Sequence, residues 1–140
     1  MIWEDTTVPA VRGGEMLTSL VRFTTDGVCA VEITVDDVDS RGEGPDLFEA
    51  LAQARRGLEA EDVLVGCNGA RQDVFPSAMQ RQAGWARRAY VLTMPRTTAR
   101  PPAVDIFAAA PELSALATVN AQRAWFDRWR QSRPVEGGSS

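Results

Sequence analysis

Asn68, Arg71, Asp73, Ser77 and Arg81 crowd chemically capable side chains into one short span, from Gly66 to Arg81. Two guanidinium groups there offer bidentate hydrogen bonds to a phosphate or carboxylate. Asp73 can orient Arg71, or act as a base where its surroundings raise its pKa. Against this pocket stands a structural reading, which is favoured. In it Asn68 serves a turn, Arg71 pairs with Asp73, and Ser77 caps a helix. No nucleophile lies beside a base in this set, so no residue is assigned as catalytic. The five are candidates for ligand binding only.

Composition removes several mechanisms outright. Among 140 residues there is no histidine, and all fifteen basic residues are arginine. Without histidine there is no Ser-His-Asp or Cys-His catalysis and no His-ligated zinc. Without lysine there is no Schiff base and no phosphate-loop lysine. Cys29 and Cys67 both fall in expected strands and read as buried free thiols. Asp36, Asp37 and Asp39 sit close enough to suggest an oxygen-ligated cation, but their spacing is not that of a calcium-binding loop. A solvated acidic loop is favoured, and neither a metal nor a cofactor is expected.

Charge is distributed unevenly. Residues 1–70 hold 14 acids and 5 arginines, a net of −9, and residues 71–140 hold 5 acids and 10 arginines, a net of +5. Six arginines and a single acid, Asp73, lie between Arg71 and Arg100, with Trp85 and Tyr90 nearby. That pattern suits nucleic acid by itself. The overall charge of −4 and the pI near 4.8 oppose it, and no nucleic-acid-binding signature accompanies it, so nucleic acid is not an expected partner.

These residues must be carried by elements, and the alternation of apolar residues supplies them. Met1 to Glu15 reads as an irregular lead-in with room for a short strand. Leu17 to Val35 reads as a hairpin turning at Thr25-Asp26-Gly27, with Phe23 opposite Cys29, Val21 opposite Val31 and Ser19 opposite Ile33. Asp36 to Pro45 reads as an acidic, glycine-rich loop. Asp46 to Ala60 is the clearest helix, with Leu47, Leu51, Ala54 and Leu58 in one stripe and Phe48 beside it. Asp62 to Phe75 reads as a second hairpin around Asn68-Gly69, the strongest short hairpin signal there is. In that register Arg71 and Asp73 share a face beside the space left by Gly66.

Ser77 to Gln80 matches a capping box and opens a short helix. Strands are expected at Arg87 to Met94 and at Val104 to Phe107. A second long helix is expected from Pro111 to about Arg130. Its aromatic end, with Trp125 and Trp129, is a candidate partner-binding edge, although docking across the sheet is favoured. The order implies an α+β fold: a mainly antiparallel sheet of two hairpins plus one or two further strands, and two main helices. One domain spans residues 1–132, and residues 133–140 form a disordered tail.

The pattern Cys67-Asn68-Gly69-Ala70-Arg71-x-Asp73-Val74-x-Pro76-Ser77-x-Met79-x-Arg81, followed by a strand and Asp105-Ile106-Phe107, resembles small bacterial proteins of the actinobacterial type, a group without an established activity. The resemblance covers roughly the middle third of the chain. It implies a single-domain bacterial protein and assigns no residue roles.

The acidic start lacks the apolar core of a signal peptide, and no run is long enough to span a membrane, so a cytoplasmic location is expected. The leading expectation is a small, non-enzymatic binding or inhibitor protein, such as an immunity protein that neutralises a toxin. Asp36, Asp37, Asp39, Trp125 and Trp129 are then its candidate partner contacts. The alternative is a small-ligand-binding protein or enzyme acting on an anionic substrate through the Arg/Asp/Ser pocket. A homodimer is the third expectation.

Overall fold

The computed structural model describes residues 1–135, and the chain enters a strand almost at once. β1 (Glu4–Arg12), β2 (Glu15–Thr24), β3 (Cys29–Val35) and β4 (Val38–Gly44) form an antiparallel meander. β5 (Val63–Val65) then adds to the other side of β1, giving the order β4-β3-β2-β1-β5. A second antiparallel sheet runs β6 (Val74–Phe75), β7 (Arg88–Val91), β8 (Ala103–Asp105). The helices are α1 (Leu47–Glu59), the short α2 (Ala78–Gln82) and α3 (Val119–Gln131). The fold is α+β, as the sequence implies. Among the described residues no helix is long and apolar enough to cross a membrane.

The lead-in is not irregular with a short strand but a nine-residue strand, β1, paired on both sides by β2 and β5. Val8 and Ala10 are buried, and Gly13 and Gly14, both at positive φ, turn the chain into β2. The β2-β3 register also differs from expectation. Phe23 pairs with Val31, Val21 with Ile33 and Ser19 with Val35, a slip of two residues. A slip of two leaves every side chain on its original face, so the apolar alternation cannot detect it. The wider turn is held by Thr24, whose Oγ1 accepts from the Asp26 N–H at 3.0 Å and donates to the Ile2 carbonyl at 2.6 Å.

The expected acidic loop is β4, entered through a two-residue turn at Asp36-Asp37. Its glycines serve space, not conformation. A Cβ on Gly42 would lie 2.5 Å from the Ala54 nitrogen, and one on Gly44 would lie 3.0 Å from the Glu49 Cβ. Strand and helix backbones therefore meet directly. Ser40 adds a 2.6 Å hydrogen bond to the Ala54 carbonyl across that seam. α1 begins where expected: the Asp46 side chain accepts from the Glu49 N–H at 2.9 Å, and the Leu47, Leu51, Ala54, Leu58 stripe is buried against the large sheet.

The Asn68-Gly69 hairpin does not form. β5 pairs with β1, β6 pairs with β7, and Asn68–Ala70 is a buried 3-10 turn between them. Its backbone donors are taken elsewhere: Asn68 N–H goes to the Ala108 carbonyl and Gly69 N–H to the Ile106 carbonyl, both at 2.9 Å. A hairpin tip needs solvent or its own partner strand, and this segment is threaded through the core instead. Gly69 is present because a Cβ there would meet Leu51 and Ile106. Gly66 leaves no open gap, since its Cβ would lie 2.5 Å from the Pro9 carbonyl oxygen.

α3 starts later than Pro111. Thr118 is the cap, accepting from the Ala121 N–H at 3.1 Å. The residues before it form a 3-10 turn (Leu113–Ala115) and then run beside the central segment, with Ala117 N–H bonded to the Ala70 carbonyl at 3.0 Å. Of the expected tail, Val135 bonds to residues near 97: its N–H reaches the Arg96 carbonyl at 2.8 Å. Residues 136–140 lie outside the described residues.

Candidate functional site

The five candidate residues fall into two separate groups, each with structural partners. Arg71 reaches Asp73 with two bonds of 3.0 Å, Nε to Oδ1 and Nη2 to Oδ2, and its Nη1 donates to the Asn68 Oδ1 at 3.3 Å. Asn68 in turn donates to the Asp105 carbonyl at 3.2 Å. Ser77 forms the expected capping box with Gln80. Arg81 turns back to α1, with its Nη1 2.9 Å from Asp46 Oδ2 and 3.2 Å from Glu49 Oε1, its plane lying over the rings of Phe48 and Phe75. Arg71 spends its Nε and both terminal nitrogens on Asp73 and Asn68, and Arg81 spends its Nη1 on α1.

The aromatic end of α3 is largely spent on docking. Trp125 is buried, Phe126 stacks on Phe75 at 3.8 Å, and the Trp129 indole donates to the Thr93 carbonyl at 3.1 Å. Asp36 and Asp37 lie at one end of the large sheet, where Arg12 contacts Asp37 at 3.5 Å and Glu61 at 3.7 Å. Asp39 accepts from the Thr34 hydroxyl at 2.8 Å on the outer face. Among the described residues no group of three or more acidic or thiol side chains is placed to hold a metal ion.

Two residues escaped the sequence reading. Arg55 and Gln122 are 2% and 1% exposed. Arg55 donates to Gln122 Oε1 at 2.6 Å, to the Ala117 carbonyl at 2.7 Å and to the Gly69 carbonyl at 3.1 Å. The Gln122 amide donates to the carbonyls of Gly69, Arg71 and Val74. Burial lowers the Arg55 pKa to about 10, so the group is still charged at neutral pH. Gln122 gave a faint signal, a polar residue in the middle of an otherwise apolar stripe. Arg55, beside Arg56 on a charged helix, gave none.

A cleft of about 750 Å³ lies elsewhere, between α2 and the outer face of the small sheet. Its floor is Arg88 and Tyr90 of β7 with Ala103 and Asp105 opposite them on β8. Arg100 and Met79 stand at its sides. The other end of the same sheet face is closed, because Phe75 is covered by Phe126. Ser77 alone of the expected ligand-binding residues lines this cleft.

Beside the cleft rises Trp85, 51% exposed. Trp85 and Ala86 both hold left-handed backbone, at φ 58° and 56°. L-residues adopt that region at a cost of about 1–2 kcal/mol each, so the surroundings must impose it. Here they do. The Trp85 carbonyl accepts from the Leu47 N–H at 2.7 Å, and the buried Ala86 donates its N–H to the Gln80 carbonyl at 2.8 Å. On its far side Trp85 borders a second groove shared with Ile2, Phe23 and Arg87. The sequence could not show this ridge, because no glycine or asparagine marks the left-handed pair.

No protein-family model and no curated protein matches this chain.

Proposed function

We propose that the chain is a non-enzymatic binding protein that acts on a protein partner, in the manner of a bacterial cytoplasmic inhibitor or immunity protein. The observation that carries this reading is Trp85. A large apolar ring is held half out of the surface, on backbone that favours glycine, between two concavities bordered by Arg87. Solvent exposure of such a ring contributes little to folding, whereas tryptophan and arginine dominate the energetics of protein interfaces. The partner this surface fits offers an apolar pocket for the indole. The inward commitment of Arg71, Asp73 and Arg81 supports a binding role over catalysis.

Trp85→Gly separates a binding role from a structural one. Glycine suits the left-handed backbone, and that relief offsets the loss of half-buried ring contacts, so stability stays within about 1 kcal/mol of the parent. Binding is lost. The assay is co-expression with the product of the adjacent gene, scored for protection from its toxicity and for co-elution. Protection by the parent and none by a stably folded Trp85→Gly variant is the expected result. A parent that neither protects nor co-elutes, or a variant that protects equally, removes the reading.

A further inference from the structure

We propose that the cleft between α2 and the small sheet is a binding site for a small anion carried on a planar ring, such as an aryl phosphate or a mononucleotide. The inference does not rest on the partner reading, since Trp85 itself does not line this cleft, although Gly84 and Arg87 border both concavities.

The first argument is the accounting of arginine charge. Arg71, Arg81, Arg87 and Arg123 each lie against a carboxylate, at 2.7–3.0 Å. Among the described residues Arg88 and Arg100 do not, and neither do Arg56, Arg96, Arg128 and Arg133, but Arg88 and Arg100 line one cleft together. Arg88 donates one bond to the Ala103 carbonyl at 2.9 Å and makes no ion pair, although Asp105 lies opposite it on β8. In a chain of net charge −4, two cations without carboxylates beside one cleft mark a place where negative charge is missing. The one acid there, Asp105, is already engaged: Oδ2 accepts from Arg87 at 3.3 Å and Oδ1 from the Phe107 N–H at 2.9 Å. Arginine pairs bidentately with phosphate or carboxylate, so these groups fit an oxyanion.

The second argument is the floor. Tyr90 and its cross-strand neighbour Ala103 occupy the open half of the sheet face. Alanine is too small to cover the tyrosine ring, whereas at the closed end Phe126 covers Phe75. The half-buried Tyr90 ring, with Met79 and Pro101 also lining the cleft, offers a stacking surface of the kind that holds planar groups. The floor residues sit on hydrogen-bonded strands, so the site is formed before a ligand arrives. A volume of about 750 Å³ lies within the range of small-molecule sites.

Calorimetric titration of the full chain with AMP, phenyl phosphate and inorganic phosphate tests the proposal. The two ring-bearing phosphates saturate one site, and inorganic phosphate binds about tenfold or more weakly. Arg100→Gln weakens AMP binding by about tenfold or more, from the loss of charged hydrogen bonds. Tyr90→Leu brings the ring-bearing ligands down towards inorganic phosphate. Arg12→Gln, at the acidic end of the large sheet, leaves AMP binding unchanged. Because Arg100 and Arg12 are surface residues, circular dichroism of each variant shows that a loss of binding is not a loss of fold. The proposal is overturned if neither ring-bearing phosphate saturates, if inorganic phosphate binds as tightly as they do, or if Arg100→Gln binds like the parent.

Discussion

At the scale of single residues, the Arg55–Gln122 pair decides how the halves of the chain are joined. A buried guanidinium is tolerated only when its donors are satisfied, and here three carbonyl-type oxygens receive them, with the Glu59 carboxylate 3.9 Å from its Nε. Arg55→Met strands the Ala117 carbonyl and Gln122 Oε1, and a loss of about 3–5 kcal/mol in urea unfolding is expected. Gln122→Leu strands the Val74 carbonyl and leaves the Arg71 carbonyl only a 3.4 Å bond from the Val74 N–H. Because the two side chains share the Gly69 carbonyl and bond each other, the double variant loses less than the sum, and a double-mutant cycle measures that coupling.

Cys67 offers a second test at this scale. Burial lifts its thiol to about 11, and burial with the nearby Asp46 also raises Cys29. In the unfolded chain each ionises near the ordinary value of 9.0, so above that pH the unfolded state holds fewer protons than the folded one. Stability is therefore lost as pH rises from about 9 to about 11, on the order of 2 kcal/mol for Cys67. Chemical unfolding across that range, with Cys67→Ala as the comparison that flattens the slope, checks it.

At the scale of elements, the seam between β4 and α1 rests on the absence of side chains. Gly42→Ala forces a methyl against the Ala54 amide and the Ala50 carbonyl, and backbone there has no room to move. The expected cost is about 1–3 kcal/mol or more, read from the urea midpoint, while Gly14→Ala meets no atom and acts through its positive φ alone. The same seam shows what the sequence could convey. Helix α1, its cap and its buried stripe were legible because a period of 3.6 and a capping aspartate are local signals. The capping box at Ser77 was legible for the same reason. β4 was not, since Gly42 and Gly44 look like loop residues until the helix they admit is known. The Asn68-Gly69 turn misled because its meaning was set by Ile106 and Ala108, nearly forty positions away. The residues proposed as a binding pocket were recognised as chemically capable, but their partners, Asp46 and Glu49 for Arg81, lie on an element that local spacing cannot relate to them.

At the scale of the whole molecule, the opposed charges of the two halves meet across the fold. Arg81 reaches Asp46 and Glu49, Arg123 reaches Glu49 at 2.7 Å, and Arg87 reaches Glu4 at 2.8 Å. These pairs are partly exposed, so each contributes little by itself. Glu49 serves two of them, and Glu49→Gln is expected to lower stability by about 1 kcal/mol and to reduce the dependence of stability on salt, measured by urea unfolding at several ionic strengths. The arrangement also bears on time. The first seventy residues contain the five-stranded sheet and α1 and carry −9 before any of the compensating arginines has been made. When the second half arrives, docking is an encounter between oppositely charged surfaces, and attraction of that kind speeds approach and fades as salt is added. Refolding from urea should therefore slow with rising ionic strength, and Glu49→Gln should make that slowing shallower.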